Sequence, residues 1–361
     1  MLVRFMMNSR QLLLSGMTFA AACGTQISPS SATAGTPQTS ESSKTGYRLV
    51  HKYTLGGDAG WDYITFDAAT RRVFVTHYMK IEVLDGDSGK SVGQITATPG
   101  VHGIALVPSI DKGFTSNGKA DSVSIIDLKT LAHVGEIKAG KKPDAITYDP
   151  GTDRVFVSNG ESDDLTIIDP KAGKVVGTVP LGGAPEYSAA DGKGTLWVNL
   201  EDKNAFVTVD IQGRKVTKTT PIAGCEAPAS MALDSNKRRL FIGCKNRVLA
   251  IVDPDAAKVV ASLPIGEHVD ATIFDAANAL IFASTGDGVL TIVHQDSADA
   301  YSIVDKVKTM RGAKTLALDP KTGKLFTATV ENVPLNATAP PKPIGPVAYV
   351  PGPFVVLTIE K

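Results

Sequence analysis

The stretch RVFVSNGESDDLTIID, residues 154–169, reads as two short apolar strands joined by a polar turn and closed by an aspartate. Near-copies stand at residues 72–85, RVFVTHYMKIEVLD, and at 239–253, RLFIGCKNRVLAIVD. Such a repeat decides a fold through its period. The last residue of each second apolar run falls at Asp85, Asp127, Asp169, Asp210, Asp253 and His294, with successive marks 41 to 43 residues apart. Another landmark, at the end of the preceding inner strand, falls at Asp67, Val107, Asp149, Ala190, Asp234, Asp275 and Asp319, 40 to 44 apart. Two independent landmarks with one period argue strongly against chance similarity, and periods of this length belong to propellers or solenoids.

Each unit has the same contents. The third runs DAITYD, RVFVSN, LTIID, KVVGTVPL: four short segments rich in Val, Ile, Thr and Phe, separated by turn residues. No segment sustains a helical period. The expected architecture is therefore all-β, a seven-bladed β-propeller with four-stranded antiparallel blades. The seventh unit supplies KTLALD, KLFTAT and FVVLTIE but lacks a fourth strand, whereas YRLVHKYTLGG at residues 47–57 is an unmatched one. Pairing that N-terminal strand with the last unit closes the ring and hides its edges.

These repeats carry a family likeness. FVSNGESDDLTIID at 156–169, with FVTH at 74–77 and FTSN at 114–117, resembles the YVTN repeat, and the chain after residue 46 is similar to YVTN-family (YncE-like) seven-bladed propellers. The resemblance is specific for fold and unspecific for activity. It implies an exported bacterial protein, with relatives linked to surface layers, redox metabolism or ligand binding. Related lactonase and streptogramin-lyase propellers are enzymes, but no stretch here matches them residue by residue.

The first 46 residues differ from the rest. Arg4 and Arg10 precede a short apolar run, LLLSGMTFAAA, that ends in small residues, the pattern of a signal peptide over residues 1–22. Cys23 follows in a lipobox-like setting and is the lipidation candidate; cleavage after Ala22 to give a soluble periplasmic or secreted protein is the alternative. Residues 23–46, rich in Ser, Thr and Pro, read as a disordered tether, leaving 47–361 as the propeller. Lys+Arg and Asp+Glu are both 37, so no basic excess points to nucleic acid. The expectation is a monomer, attached to the membrane only if Cys23 carries lipid.

In a propeller, the loop entering each inner strand and the loop joining the second and third strands emerge on one face, where function usually sits. The entry positions are Trp61-Asp62, His102-Gly103, Pro143-Asp144, Pro185-Glu186, Pro228-Ala229, Val269-Asp270 and Ala313-Lys314. The second-strand ends include His77, Asn117, Asn159, Glu201 and Cys244-Lys245, and His268 adjoins Asp270. The candidate ligand or metal residues are thus His77, His102, Asp144, Glu186, His268 and Asp270. Imidazoles and carboxylates converging there suit a divalent metal ion, or acid and base for a metal-assisted lyase or lactone hydrolase. The competing reading gives the entry aspartates a turn-capping task, and no compact motif such as HExxH or CxxC supports a metal. The aspartates ending third strands read as turn caps.

Two units depart from the pattern. Unit five places Cys225 and Cys244 near this same face, as a disulfide or as two soft metal ligands. Unit seven inserts PLNATAPPKPIGPVAYVPGP, residues 334–353, with seven of the chain's 21 prolines, either a semi-rigid lid or a plain surface insertion. The preferred function is a scaffold that binds a small molecule or protein through this face; the alternative is the metal-assisted enzyme.

Overall fold

A computed structural model describes residues 43–57, 60–331 and 353–361. The expected signal peptide, Cys23, most of the expected tether and nearly all of the proline-rich insertion lie outside those residues. The described chain forms seven four-stranded antiparallel sheets in a ring, with no α-helix among them. Blade three shows the common plan: Pro143–Asp149 is innermost, followed outward by Arg154–Asn159, Asp164–Asp169 and Lys174–Pro180.

The second strand explains why the repeat holds. Its central position carries Phe74, Phe114, Phe156, Trp197, Phe241, Phe282 and Phe326, one aromatic per blade, none more than 1% exposed. Flanking β-branched residues alternate across the pleat, so each sheet offers apolar side chains to the blades on both sides. The third-strand aspartates cap the following turns as expected. Asp85 Oδ1 accepts from the Ser88 amide at 2.7 Å, Asp169 Oδ1 from Ala172 at 2.9 Å and Asp253 Oδ1 from Ala256 at 2.9 Å.

Closure follows the predicted route. Arg48–Thr54 pairs antiparallel with Phe354–Glu360, completing blade seven from the opposite end of the chain. Just before that strand, Tyr47 is fully buried with its ring edge-on to Phe282 of blade six at 5.4 Å. Asp305 of blade six accepts from Ser43 Oγ at 2.6 Å, the Thr45 amide at 2.9 Å and Thr45 Oγ1 at 2.7 Å. The insertion in blade seven leaves at Glu331 and returns at Pro353, whose carbonyl accepts from the Glu331 amide at 3.0 Å.

Candidate functional site at the channel mouth

The inner strands of blades two to six each slip in register at their first residues, between Val101 and Gly103, Pro143 and Ile146, Pro185 and Ser188, Pro228 and Ser230, and Val269 and Ala271. A bulge adds a residue that the neighbouring strand does not match and re-aims its side chain. The residues so placed include His102, Asp144, Glu186, Ala229 and Asp270. The repeat therefore builds, blade after blade, a place where one side chain leaves the packed sheet.

His102 is the centre of the resulting cluster. Its Nδ1 lies 2.6 Å from Asp62 Oδ2 and 3.3 Å from Asp144 Oδ1, and its side chain is only 3% exposed. The rest of the ring needs the absence of a side chain at Gly118, where a Cβ would come within 2.7 Å of Nε2. Burial opposes a charge on this imidazole, but Asp144 and the hydrogen-bonded Asp62 outweigh it and lift its pKa to about 9. Asp144 itself is pushed up to about 6, by burial first, with His102 pulling the other way.

Across the mouth, Lys314 Nζ lies 2.5 Å from Asp270 Oδ2. Burial disfavours the ammonium, yet Asp270 and Asp62 hold it above the ordinary lysine range, while burial raises the Asp270 carboxyl. Blade five has Ala229 at the entry position; Lys245, next to Cys244, instead pairs with Glu201 of blade four. Glu186 is driven well above the usual carboxylate range by burial and by Asp144, and it shares a hydrogen bond with Glu201. Burial acts to raise Glu201 too, but its bonds to Glu186 and Lys245 keep it below its ordinary value.

Directly beneath this layer the channel narrows. The residues one step further along the inner strands are Tyr63, Gly103, Ala145, Tyr187, Ser230, Ala271 and Thr315. The two tyrosines come from blades one and four, nearly opposite in a ring of seven, and meet edge-to-face with centroids 5.5 Å apart. The small residues leave them that space: a Cβ on Gly103 would stand 3.2 Å from Tyr63 Cδ2. The Tyr63 hydroxyl is held neutral by burial and then by Asp144, Glu186, Asp62 and Asp270, so the carboxylates gather above this contact.

The ring thus unites His102, Asp144, Glu186 and Asp270 with Asp62, Lys314, Glu201 and Lys245. It does not unite the three histidines. His77 is buried in the seam between blades one and seven, its ring tilted against Phe354 with centroids 4.4 Å apart and Nδ1 3.3 Å from Glu82 Oε1. His268 is exposed on the rim in a left-handed backbone conformation, φ 59°. The entry aspartates depart from the turn-capping reading as well: Asp62 and Asp144 face His102, and Asp270 faces Lys314. Ligand atoms of Asp62, His102 and Asp144 all lie within 4.8 Å of one another, a spacing a divalent ion can use. In the arrangement described, a proton on His102 Nδ1 serves both carboxylates. Cys225 and Cys244 are joined, with Cα atoms 5.4 Å apart, and tie the entry loop of blade five to its second strand beside Lys245.

Tyr63 and Tyr187 escape a sequence reading based on charge. The signal for them was side-chain volume, two large residues at a position that is otherwise Gly, Ala, Ser or Thr.

Comparison with known proteins agrees with the fold. No curated protein matches the sequence. Among solved structures, a chain of Kuenenia stuttgartiensis hydrazine synthase superposes with a TM-score of 0.67 at 17% identity, covering 76% of this chain and 95% of that one. A chain from a crystal structure of a mitotic checkpoint complex gives 0.68 at 15% identity, covering 85% and 95%. At such identities the likeness is one of fold. The family model described as a YNCE-like beta-propeller matches residues 104–184, which span blades two and three. The chain is a seven-bladed β-propeller whose blades two and three carry the YNCE-like signature.

Proposed function

We propose that the protein is an exported binding propeller that takes up a cationic group of a small molecule or protein at the channel mouth. The observation that carries this reading is the order of charges around the ring. The charged blade entries run Asp62, His102, Asp144, Glu186, Asp270 and Lys314, and blades four and five add the paired Glu201 and Lys245 from their second-strand ends. Asp144 and Glu186 are adjacent entries of like sign. Burial raises both carboxyls, and Asp144 raises Glu186 further. An ammonium or guanidinium seated between them relieves the crowding of two neighbouring buried carboxyls and favours their charged forms. Lys142 stands near enough to favour the charged forms of Asp144 and Glu201, a neighbour that such a ligand displaces.

Export is part of the proposal, with signal-peptide cleavage and lipid attachment at Cys23 in a bacterial envelope and a monomeric propeller held clear of the membrane. The N-terminal sequence supports it, and a buried Cys225–Cys244 bond suits an oxidising compartment. Calorimetric titration with arginine amide, putrescine and succinate tests the binding reading. The cations bind and succinate does not, and Asp144→Asn or Glu186→Gln weakens cation binding by about tenfold, or about 1.4 kcal/mol. Preference for succinate, or cation binding indifferent to both substitutions, refutes it.

A further inference from the structure

We propose that the other end of the channel is a second binding site, taking an uncharged and largely apolar small molecule. Beyond Tyr187 the far end of the channel forms a solvent-open pocket of about 710 Å³ that reaches the turns after the inner strands. That volume falls in the range of small-molecule pockets, roughly 300–1,000 Å³. Ile64, Ile104, Ile146, Ile273 and Leu316 line its wall, with Tyr187 at its floor. Ile64, Ile104, Ile146 and Leu316 hold equivalent inner-strand positions and Ile273 the next one along, so five of the seven blades contribute a branched aliphatic side chain to the lining.

The polar groups in the lining are already engaged. Ser188 Oγ donates to Thr147 Oγ1 at 3.0 Å and Thr65 Oγ1 donates to the Ile104 carbonyl at 3.1 Å. Asp67 caps its own turn, accepting from the Ala69 amide at 3.0 Å and Thr70 Oγ1 at 2.6 Å, and the Tyr148 hydroxyl bonds Asp153 at 3.0 Å. A polar ligand resting on this wall finds few free side-chain partners, whereas an apolar one gains by covering the aliphatic side chains. The tyrosine contact keeps the carboxylates and ammonium groups of the mouth on its far side. One channel thereby offers two chemically opposite compartments.

The test uses N-phenyl-1-naphthylamine, a neutral dye that brightens in apolar surroundings. The folded protein binds it saturably at one site. Ile146→Trp and Ile273→Trp, which fill the cavity from different blades, each weaken binding by about tenfold. Asp144→Asn, at the mouth, leaves it unchanged. Absence of saturable binding, or binding unchanged in both tryptophan variants, overturns the proposal. Crystals of the unmodified protein soaked with 1-bromonaphthalene give a check that does not depend on variants folding. Anomalous bromine density against the isoleucine lining supports the site, and density only elsewhere overturns it.

Discussion

Two positions of the same repeat behave in opposite ways. In the second strand, seven blades place an aromatic ring at one site, from Phe74 to Phe326, and every one is buried. At the inner-strand entry the same seven blades place Asp62, His102, Asp144, Glu186, Ala229, Asp270 and Lys314. The first position must fill a constant gap between adjacent sheets, so its residue barely varies in shape. The second faces a shared opening, where no neighbouring sheet dictates its size, and its residues differ in charge, length and sign. In this molecule uniformity marks what builds the ring and difference marks what uses it.

The comparison can be broken at several points. The largest effect is expected from Phe156→Ala, which empties a fully buried site and lowers stability by about 3–5 kcal/mol in denaturant unfolding. A loss below about 1 kcal/mol would show that the aromatic layer is not what holds the blades. Next, replacing Cys225 and Cys244 together by Ser removes a cross-link spanning 19 residues and costs about 3 kcal/mol on the chain-entropy account. Unfolding with and without reductant measures it.

Third comes a pH effect of the mouth. His102 has a folded pKa of about 9, above its ordinary 6.5, so its contribution is complete below about pH 6.5 and is lost as pH rises through 9. Asp144, raised to about 6, acts in the same direction between about pH 4 and 6. The melting temperature should fall across pH 6.5–9, by an amount on the order of 2–3 kcal/mol of stability. His102→Gln should flatten that fall, and an equally steep profile in the variant would rule the imidazolium out as its source. The smallest effect is expected from His268→Ala, an exposed rim position outside the cluster. It should change neither stability nor cation binding by more than about 0.5 kcal/mol.

Much of this was legible beforehand. The two rulers of about forty residues gave blade number, strand order and the route of closure, because packing between identical units imposes identical spacing. Asp144, Glu186, Asp270 and His102 were identifiable as facing the mouth, since an entry position has a fixed place in a propeller. His77 and His268 were not separable from them by position. A side chain's direction depends on bulges and on backbone conformation, such as the positive φ of His268, and neither leaves a mark in residue type. Tyr63 and Tyr187 were hidden for another reason: their contact joins blades distant in the chain, and periodicity describes only neighbours.

The pairing of Arg48 with Glu360 has a consequence for folding in time. The first strand of the propeller to be made waits for the last one. Blades one to six can form from local hairpins as soon as their own residues are available, whereas blade seven needs a loop of some three hundred residues to close. The entropic cost of such a loop grows only logarithmically with length, so closure is delayed far more than it is disfavoured. Until Phe354–Glu360 is present, Arg48–Thr54 lacks its hydrogen-bonded neighbour, and the seam between the first and last blades stands open. Synthesis of Phe354–Glu360 is therefore also the step that turns an open row of blades into a ring with an inside.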